Sequence, residues 1–322
     1  MSSRIITLAS GRYDRVAPLL DGRVSIPGVS LRHVALSPEE LFPRALRGGE
    51  FDAFELSCAA YLIRLAHGAT DIVGLPIFLS RSFRHSGFYT RADRNIATPG
   101  DLRGRTLGVP DYWMTGAVWM RGLLSDEYKV LPHEIVWRTG GLNRPRVAAL
   151  PAVALLQDPE ISEIADSDTL SEQLRRGELD GIITSDIPEC FRDKAPEVTR
   201  LFPDYRSAEQ DYARRTGLHP IMHLLAVRRP VLQAHPQLRE KLIDAFTAAR
   251  DLALGELSEL SAIHVTLPWA ASYAAEAQAV LGENFWPYGL DANRTDIETL
   301  ARYAYEQGLV PRALSADEIF PQ

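Results

Sequence analysis

The sequence has little cysteine. Two residues in 322, Cys58 and Cys190, stand far apart and outside any Cys-x-x-Cys spacing, which argues against a structural disulfide and reads as two plain buried thiols. No window holds 18 uninterrupted apolar residues, so no membrane-crossing helix is expected. Positive charge is not in excess: 35 lysines and arginines against 42 acids leave a net charge of −7, which argues against a nucleic-acid surface. No basic run suits an anionic membrane either. The Gly-x-Gly-x-x-Gly fingerprint and the phosphate-binding lysine loop are both missing, so no dinucleotide or nucleotide cofactor is expected. Residues 1–10 carry one arginine and only a short apolar run, less than a secretory signal requires, and the expectation is a soluble, cytoplasmic protein.

What is present is an ordinary globular balance, 46% hydrophobic and 24% charged, over a length that suits two lobes or one large α/β domain. Strands are expected near residues 4–9, 28–36, 51–56, 72–79, 87–90, 105–109, 135–137 and 221–227. Ser37-Pro38-Glu39-Glu40 opens a helix, with Ser37 as cap and Pro38 at the first helical position. Residues 132–168 are poorly periodic. Long helices are expected over 236–254, 268–281 and 293–308, the last with Asn293 as a cap. Leu46-Arg47-Gly48-Gly49-Glu50-Phe51-Asp52-Ala53 echoes Leu174-Arg175-Arg176-Gly177-Glu178-Leu179-Asp180-Gly181. A helix end, a glycine turn and an acid-flanked strand recur, so two similar lobes are expected, with chance likeness as the alternative. The simplest division gives a first lobe of residues 1–87 and 221–322 and a second of 88–220, the C-terminal helices packing on the first. Two crossings permit hinge closure on a ligand.

The first crossing holds the densest polar chemistry. In Ser80-Arg81-Ser82-Phe83-Arg84-His85, two arginines can each grip a carboxylate through paired hydrogen bonds, and a histidine can move a proton near neutral pH. A cleft for a small aromatic carboxylate, with His85 in proton chemistry, is one reading. A solvated linker is the other.

The runs SRSFRHSGFY, LRGRTLGVPDYWMTGAVWMRGLLSDEY, RLFPDYRSAEQDYARRTGLHPIMH and WPYGLDANR together resemble the 4,5-dihydroxyphthalate decarboxylase family. The likeness runs from about Gly11 to Gly308. It implies a two-lobed α/β fold of the type II periplasmic-binding-protein kind with a central cleft. It also implies decarboxylation of a dihydroxylated phthalate without an organic cofactor. Asp186 stands where the resemblance implies an arginine, which leaves a hydroxylated aromatic monoacid open as substrate.

That chemistry needs a carboxylate grip, a base for a ring hydroxyl and an acid beside the carbon that loses CO2. His85 is assigned to protonation. Arg81 and Arg84 are assigned to carboxylates; side-chain alternation along an extended crossing favours Arg81 as the ligand contact. Glu55, at a strand end, is a candidate base or a buried partner for an arginine. His219 and His223 sit on or beside a strand, where four residues span about 13 Å, too far for one ion; no metal is expected. His223 is the choice for the site, with a satisfied structural histidine as the alternative. Tyr13 and Asp14 follow the first strand and could meet ring hydroxyls, or form a solvated turn. Asp111, Tyr112 and Thr115 precede a helix, where Thr115 could bind a carboxylate or cap. The partner expected is therefore an aromatic carboxylate, and the apolar C-terminal helices are candidates for a homo-oligomer interface. A non-catalytic binding protein or sensor of the same fold is the alternative function.

Overall fold

The structure, a computed structural model, describes residues 4–146, 159–261 and 263–321. Part of the poorly periodic segment (147–158) and the first three residues of the stretch read for a signal lie outside the described residues. In chain order the elements begin with β1 (Arg4–Ser10), α1 (Ala17–Leu20), β2 (Val29–Ala35), α2 (Pro38–Arg47), β3 (Ala53–Ser57), α3 (Cys58–Ala66) and β4 (Ile72–Arg81). After a single turn over His85–Gly87 come β5 (Phe88–Arg91), β6 (Thr106–Val109), α4 (Thr115–Tyr128), β7 (Val136–Thr139), β8 (Ile161–Glu163), α5 (Leu170–Arg176), β9 (Gly181–Ile183), α6 (Glu189–Arg192) and β10 (Val198–Arg200). The chain ends with α7 (Tyr205–Thr216), β11 (Ile221–Arg228), α8 (Arg229–Ala234), α9 (Leu238–Leu257), α10 (Ala270–Leu281), α11 (Arg294–Glu306) and α12 (Ala316–Ile319). No helix is long and apolar enough to cross a membrane among the described residues.

Contacts divide the chain into two compact units. The first comprises Met1–Ser82, Ala213–Glu298 and Leu314–Gln322, the second Phe83–Tyr212 and Thr299–Ala313. The sequence reading set the divisions at 87/88 and 220/221 and left the whole C-terminal stretch with the first lobe. Instead, Thr299–Ala313 joins the second unit, because its side chains lock onto α4. Arg302 and the Tyr303 hydroxyl reach the Asp126 carboxylate at 2.6 and 2.7 Å, and Arg121 Nε donates to Gln307 Oε1 at 2.9 Å.

In the first unit the strand order is β2-β1-β3-β11-β4. β1 runs parallel to β2 and β3, and β11 runs antiparallel to β3 and β4. All five residues of β3 are buried, the near-continuous burial of a strand covered on both faces. Ile6, Leu8, Phe54, Leu56, Leu75, Ile77 and Leu225 form the centre of this core. The chain goes from β1 to β2 on one side and then returns to β3 on the other, so a topological switch lies between the carboxyl ends of β1 and β3. Ligands of open α/β sheets bind at such points.

In the second unit the order is β10-β5-β9-β6-β7-β8. β8 lies in the poorly periodic segment, where no strand beyond residues 135–137 is expected from sequence. β9, β6, β7 and β8 are parallel, with β5 antiparallel between β9 and β10. Tyr89, Leu170, Leu174, Leu179, Ile182, Cys190 and Val198 pack together as a core cluster. Here the switch falls between β6 and β9.

The repeated octapeptide builds the same piece in each unit. α2 and α5 are capped by Ser37 and Thr169, whose hydroxyls accept the backbone N–H three residues on. Each helix ends on a glycine with positive φ, 88° at Gly48 and 80° at Gly177, a conformation that costs a side-chained residue more. The aspartate then bridges to the neighbouring parallel strand. Asp52 Oδ2 accepts Thr7 N–H at 2.8 Å, and Asp180 Oδ2 accepts Thr106 N–H at 2.9 Å. Finally, an arginine from the antiparallel neighbour binds carbonyls at the helix end: Arg228 on Ala45, Arg91 on Leu174 and Arg175.

Candidate functional site

The carboxyl end of β3 holds a tightly built polar cluster. Glu55 is fully buried. Its Oε2 accepts Gly11 N–H at 2.9 Å. Its Oε1 accepts the Tyr13 hydroxyl at 2.7 Å and lies 2.6 Å from His223 Nδ1. These partners come from the loop after β1 and from β11, where His223 stands opposite Ser57 of β3. Burial works to raise the Glu55 pKa, but the His223, Gly11 and Tyr13 contacts outweigh it and hold the carboxyl below its ordinary value. Burial, with Glu55 beside it, drives the Tyr13 hydroxyl upward, so it stays protonated and donates. His223 keeps 18% of its side chain exposed and meets the edge of Phe42 at 5.0 Å. With Nδ1 held by the carboxylate, Nε2 is the ring atom left for acid–base work, the arrangement by which a buried carboxylate orients a catalytic imidazole. Sequence had placed Glu55, Tyr13 and His223 as separate candidates; the structure brings them together. Asp14 does not join them. It is half-exposed and pairs with Arg15 at 3.1 Å.

Arg81, expected to grip a ligand, is buried in the first unit and held by protein groups. It pairs with Asp296 at 3.1 Å and donates to the His219 carbonyl at 2.7 Å, to the Pro287 carbonyl at 3.1 Å and to Asn293. His219 is a satisfied structural histidine: its Nδ1 meets the Phe285 carbonyl at 3.1 Å, and burial, with Arg81 nearby, lowers its pKa to about 3.

In the second unit the switch between β6 and β9 brings Asp111, Thr115, Thr184 and Ser185 to one end of the sheet. Arg84 reaches the same place. A Cβ on Gly116, at the start of α4, would lie 2.6 Å from Ser185 Oγ and 3.3 Å from Arg84 Nε, so the hydroxyl and the guanidinium both pack closely against this glycine. Burial lowers the Arg84 pKa to about 10, against the opposing pull of Asp186 and Glu209. His85 is 3% exposed, its ring set edge-on to Phe202 at 5.2 Å and to Tyr212 at 5.4 Å. Thr115 is the first residue of α4 rather than its cap; Met114 occupies that position, and Thr115 is buried. Burial pushes Asp111 up to about 6. Tyr112 is core: it is 2% exposed, with Arg121 stacked 3.6 Å from its ring centre and Trp137 edge-on.

Sequence reasoning missed Glu209. It sits inside α7, where a glutamate in a charged helix reads as solvent-facing. Its Oε1 accepts Ser86 N–H at 3.3 Å, and burial pushes its carboxyl up to about 7. Among the described residues, no three of His, Cys, Asp and Glu converge as a set that could hold a metal ion.

Solved structures with this fold are periplasmic binding proteins and their kin. The periplasmic sulfonate-binding protein SsuA of Methylobacillus flagellatus KT superposes with a TM-score of 0.59 at 12% identity, over 99% of this chain and 91% of that one. The aliphatic sulphonate binding protein SsuA of Escherichia coli gives 0.54 at 13%, with 100% of both chains covered. At such identities the likeness defines the fold class: an α/β protein of the periplasmic-binding-protein fold. No family model matches the sequence. The chain is, however, 38% identical over 320 residues to 4,5-dihydroxyphthalate decarboxylase of Comamonas testosteroni, 99% of this chain and 97% of the relative. A second relative of that name, from Pseudomonas putida, is 35% identical over 214 residues, 66% of this chain and 83% of its own. The chain belongs to the 4,5-dihydroxyphthalate decarboxylase family.

Proposed function

We propose that this chain decarboxylates 4,5-dihydroxyphthalate to 3,4-dihydroxybenzoate and CO2, the activity named for both relatives. The observation that carries the mechanism is the 2.6 Å contact between Glu55 and His223. His223 Nε2 takes the proton from the ring hydroxyl para to the departing carboxylate. Electron density then reaches the carboxyl-bearing carbon, which accepts a proton. The C–C bond breaks, CO2 leaves, and the electron pair restores the aromatic ring as a phenolate, which takes its proton back from His223. Glu55 does not touch the substrate; it positions His223 and stabilises the charge the imidazole gains. The second unit offers its own pair for such chemistry, with Arg84 as a carboxylate grip and His85 as a proton donor. Arg81 has no part, because protein groups already bind both of its terminal nitrogens. A cytoplasmic location belongs to the same reading.

The test is to incubate the protein with 4,5-dihydroxyphthalate and follow substrate, CO2 and 3,4-dihydroxybenzoate together. Equal CO2 and product over many turnovers is expected; binding without CO2 release rejects the reading. The His223→Ala variant should lose about 10²- to 10⁴-fold in kcat. If His85→Ala turned over normally, the proton donor would lie elsewhere.

A further inference from the structure

The turn that carries Arg84 and His85 is gripped by α7. Tyr212 of that helix packs on the His85 ring at 5.4 Å and on Phe83 at 6.5 Å. One helical turn earlier, Glu209 accepts the Ser86 N–H at 3.3 Å. The Glu209 carboxyl faces Arg84 and the His85–Ser86 backbone from this turn, and Arg200 from the end of β10. Asp186, exposed on the loop after β9, faces Arg84 as well. Arg84 is thus already within the electrostatic reach of two acids before any substrate carboxylate arrives.

We propose that Glu209 is a positioning residue that sets substrate affinity: it shares the Arg84 guanidinium with Asp186, and takes up a proton when a substrate carboxylate binds there. The inference rests on the reading of Arg84 as the carboxylate grip. The incoming anion raises the cost of a second negative charge beside a partly buried site. A proton from solvent removes that charge, and the neutral carboxyl still accepts the Ser86 N–H through its carbonyl oxygen. Asp186 stays in water, where its charge is screened. The Glu209 carboxyl is poised for this exchange because burial, partly offset by the Ser86 and His85 backbone and by Arg84, already brings its pKa to about 7.

The test uses phthalate, which lacks the ring hydroxyls needed for reaction, titrated calorimetrically into the whole protein in two buffers of different ionisation heat. At pH 8 the unaltered protein should take up close to one proton per phthalate bound, and at pH 6.5 far less. Above pH 7 affinity should fall about tenfold per pH unit. The Glu209→Gln variant keeps an acceptor for Ser86 and should show neither effect, while Asp186→Asn should keep both. Uptake that persists in Glu209→Gln, or affinity in the unaltered protein that stays flat from pH 6.5 to 8.5, overturns the proposal. The second result stands even if the variant fails to fold. Turnover of the hydroxylated substrate without proton uptake rejects the role of Glu209 alone. No phthalate binding at any pH rejects the reading of Arg84 with it.

Discussion

β3 and β9 are built by the same local code and put to opposite chemical use. Both follow a side-chain-capped helix, a glycine with positive φ and an aspartate that accepts an N–H from the first parallel strand of the unit. Both then lie between a parallel and an antiparallel neighbour. Two residues into each strand the likeness ends. Glu55 occupies the place that Ile183 fills in the second unit, and both are buried. The first unit meets the charge with three donors converging on one carboxylate. The second keeps its strand apolar and carries its acids on flanking elements, Asp111 beyond β6 and Glu209 on α7. Backbone scaffolding is therefore separable from chemistry: the clasp that fixes the strand makes no demand on what the strand's far end presents.

The strongest way to break the comparison is to make β3 resemble β9. Glu55→Ala leaves Tyr13, Gly11 and His223 without their shared acceptor. We expect kcat to fall about 10²- to 10⁴-fold, with a stability loss of roughly 3–5 kcal/mol because one partner of a buried pair is gone. Steady-state turnover and urea denaturation check the two separately.

The buried acids should also respond to pH with opposite sign. Glu55 is held below its ordinary pKa, so its contribution is present above the unfolded value and lost as pH falls through the folded one. Asp111 is held above its ordinary value, at about 6, so it costs stability as pH rises from its unfolded value through 6. Asp111→Asn should remove that cost and stabilise the protein above pH 6 by up to about 3 kcal/mol, with little change at pH 4. Urea midpoints at both pH values read this directly; destabilisation above pH 6 would mean that Asp111 has a charge partner in solution.

Smaller effects sharpen the likeness. Asp52→Ala and Asp180→Ala each strip an acceptor from a strand N–H and should cost about 1–3 kcal/mol apiece. Amide exchange at Thr7 and Thr106 should accelerate in the matching variant only. Ser37→Ala and Thr169→Ala should each cost about 1 kcal/mol in thermal or urea unfolding. A large inequality within either pair would show that the repeated pieces are not energetically equivalent.

Much of this was legible in the sequence because it is local. Ser37-Pro38, the glycine turns and the aspartate before each strand lie within a few residues of what they stabilise. Even the family likeness was carried by contiguous runs. Legibility failed where partners are distant. Nothing near Arg81 announces Asp296, so alternation along a supposed crossing favoured it as a ligand contact when it belongs to a buried network. Tyr13, Glu55 and His223 could each be suspected, but their convergence depends on strand order. Thr115 was expected ahead of a helix, as its cap or a carboxylate contact, yet the helix starts at Thr115 itself, and the cap position falls on Met114, which makes no side-chain cap bond. Glu209 carried no local signal at all: a glutamate inside a charged helix looks the same whether that face meets water or an arginine.

The scarcity of cysteine has a last consequence. Cys58 opens α3 in the first unit and Cys190 lies in α6 in the second; both thiols are free and buried, and burial raises their pKa. Each unit therefore holds a single concealed nucleophile that a thiol reagent meets only when that unit opens. Timed alkylation followed by mass spectrometry turns the pair into two clocks on one chain. Equal ticking reports a molecule that opens as a whole, and unequal ticking reports units that breathe on their own.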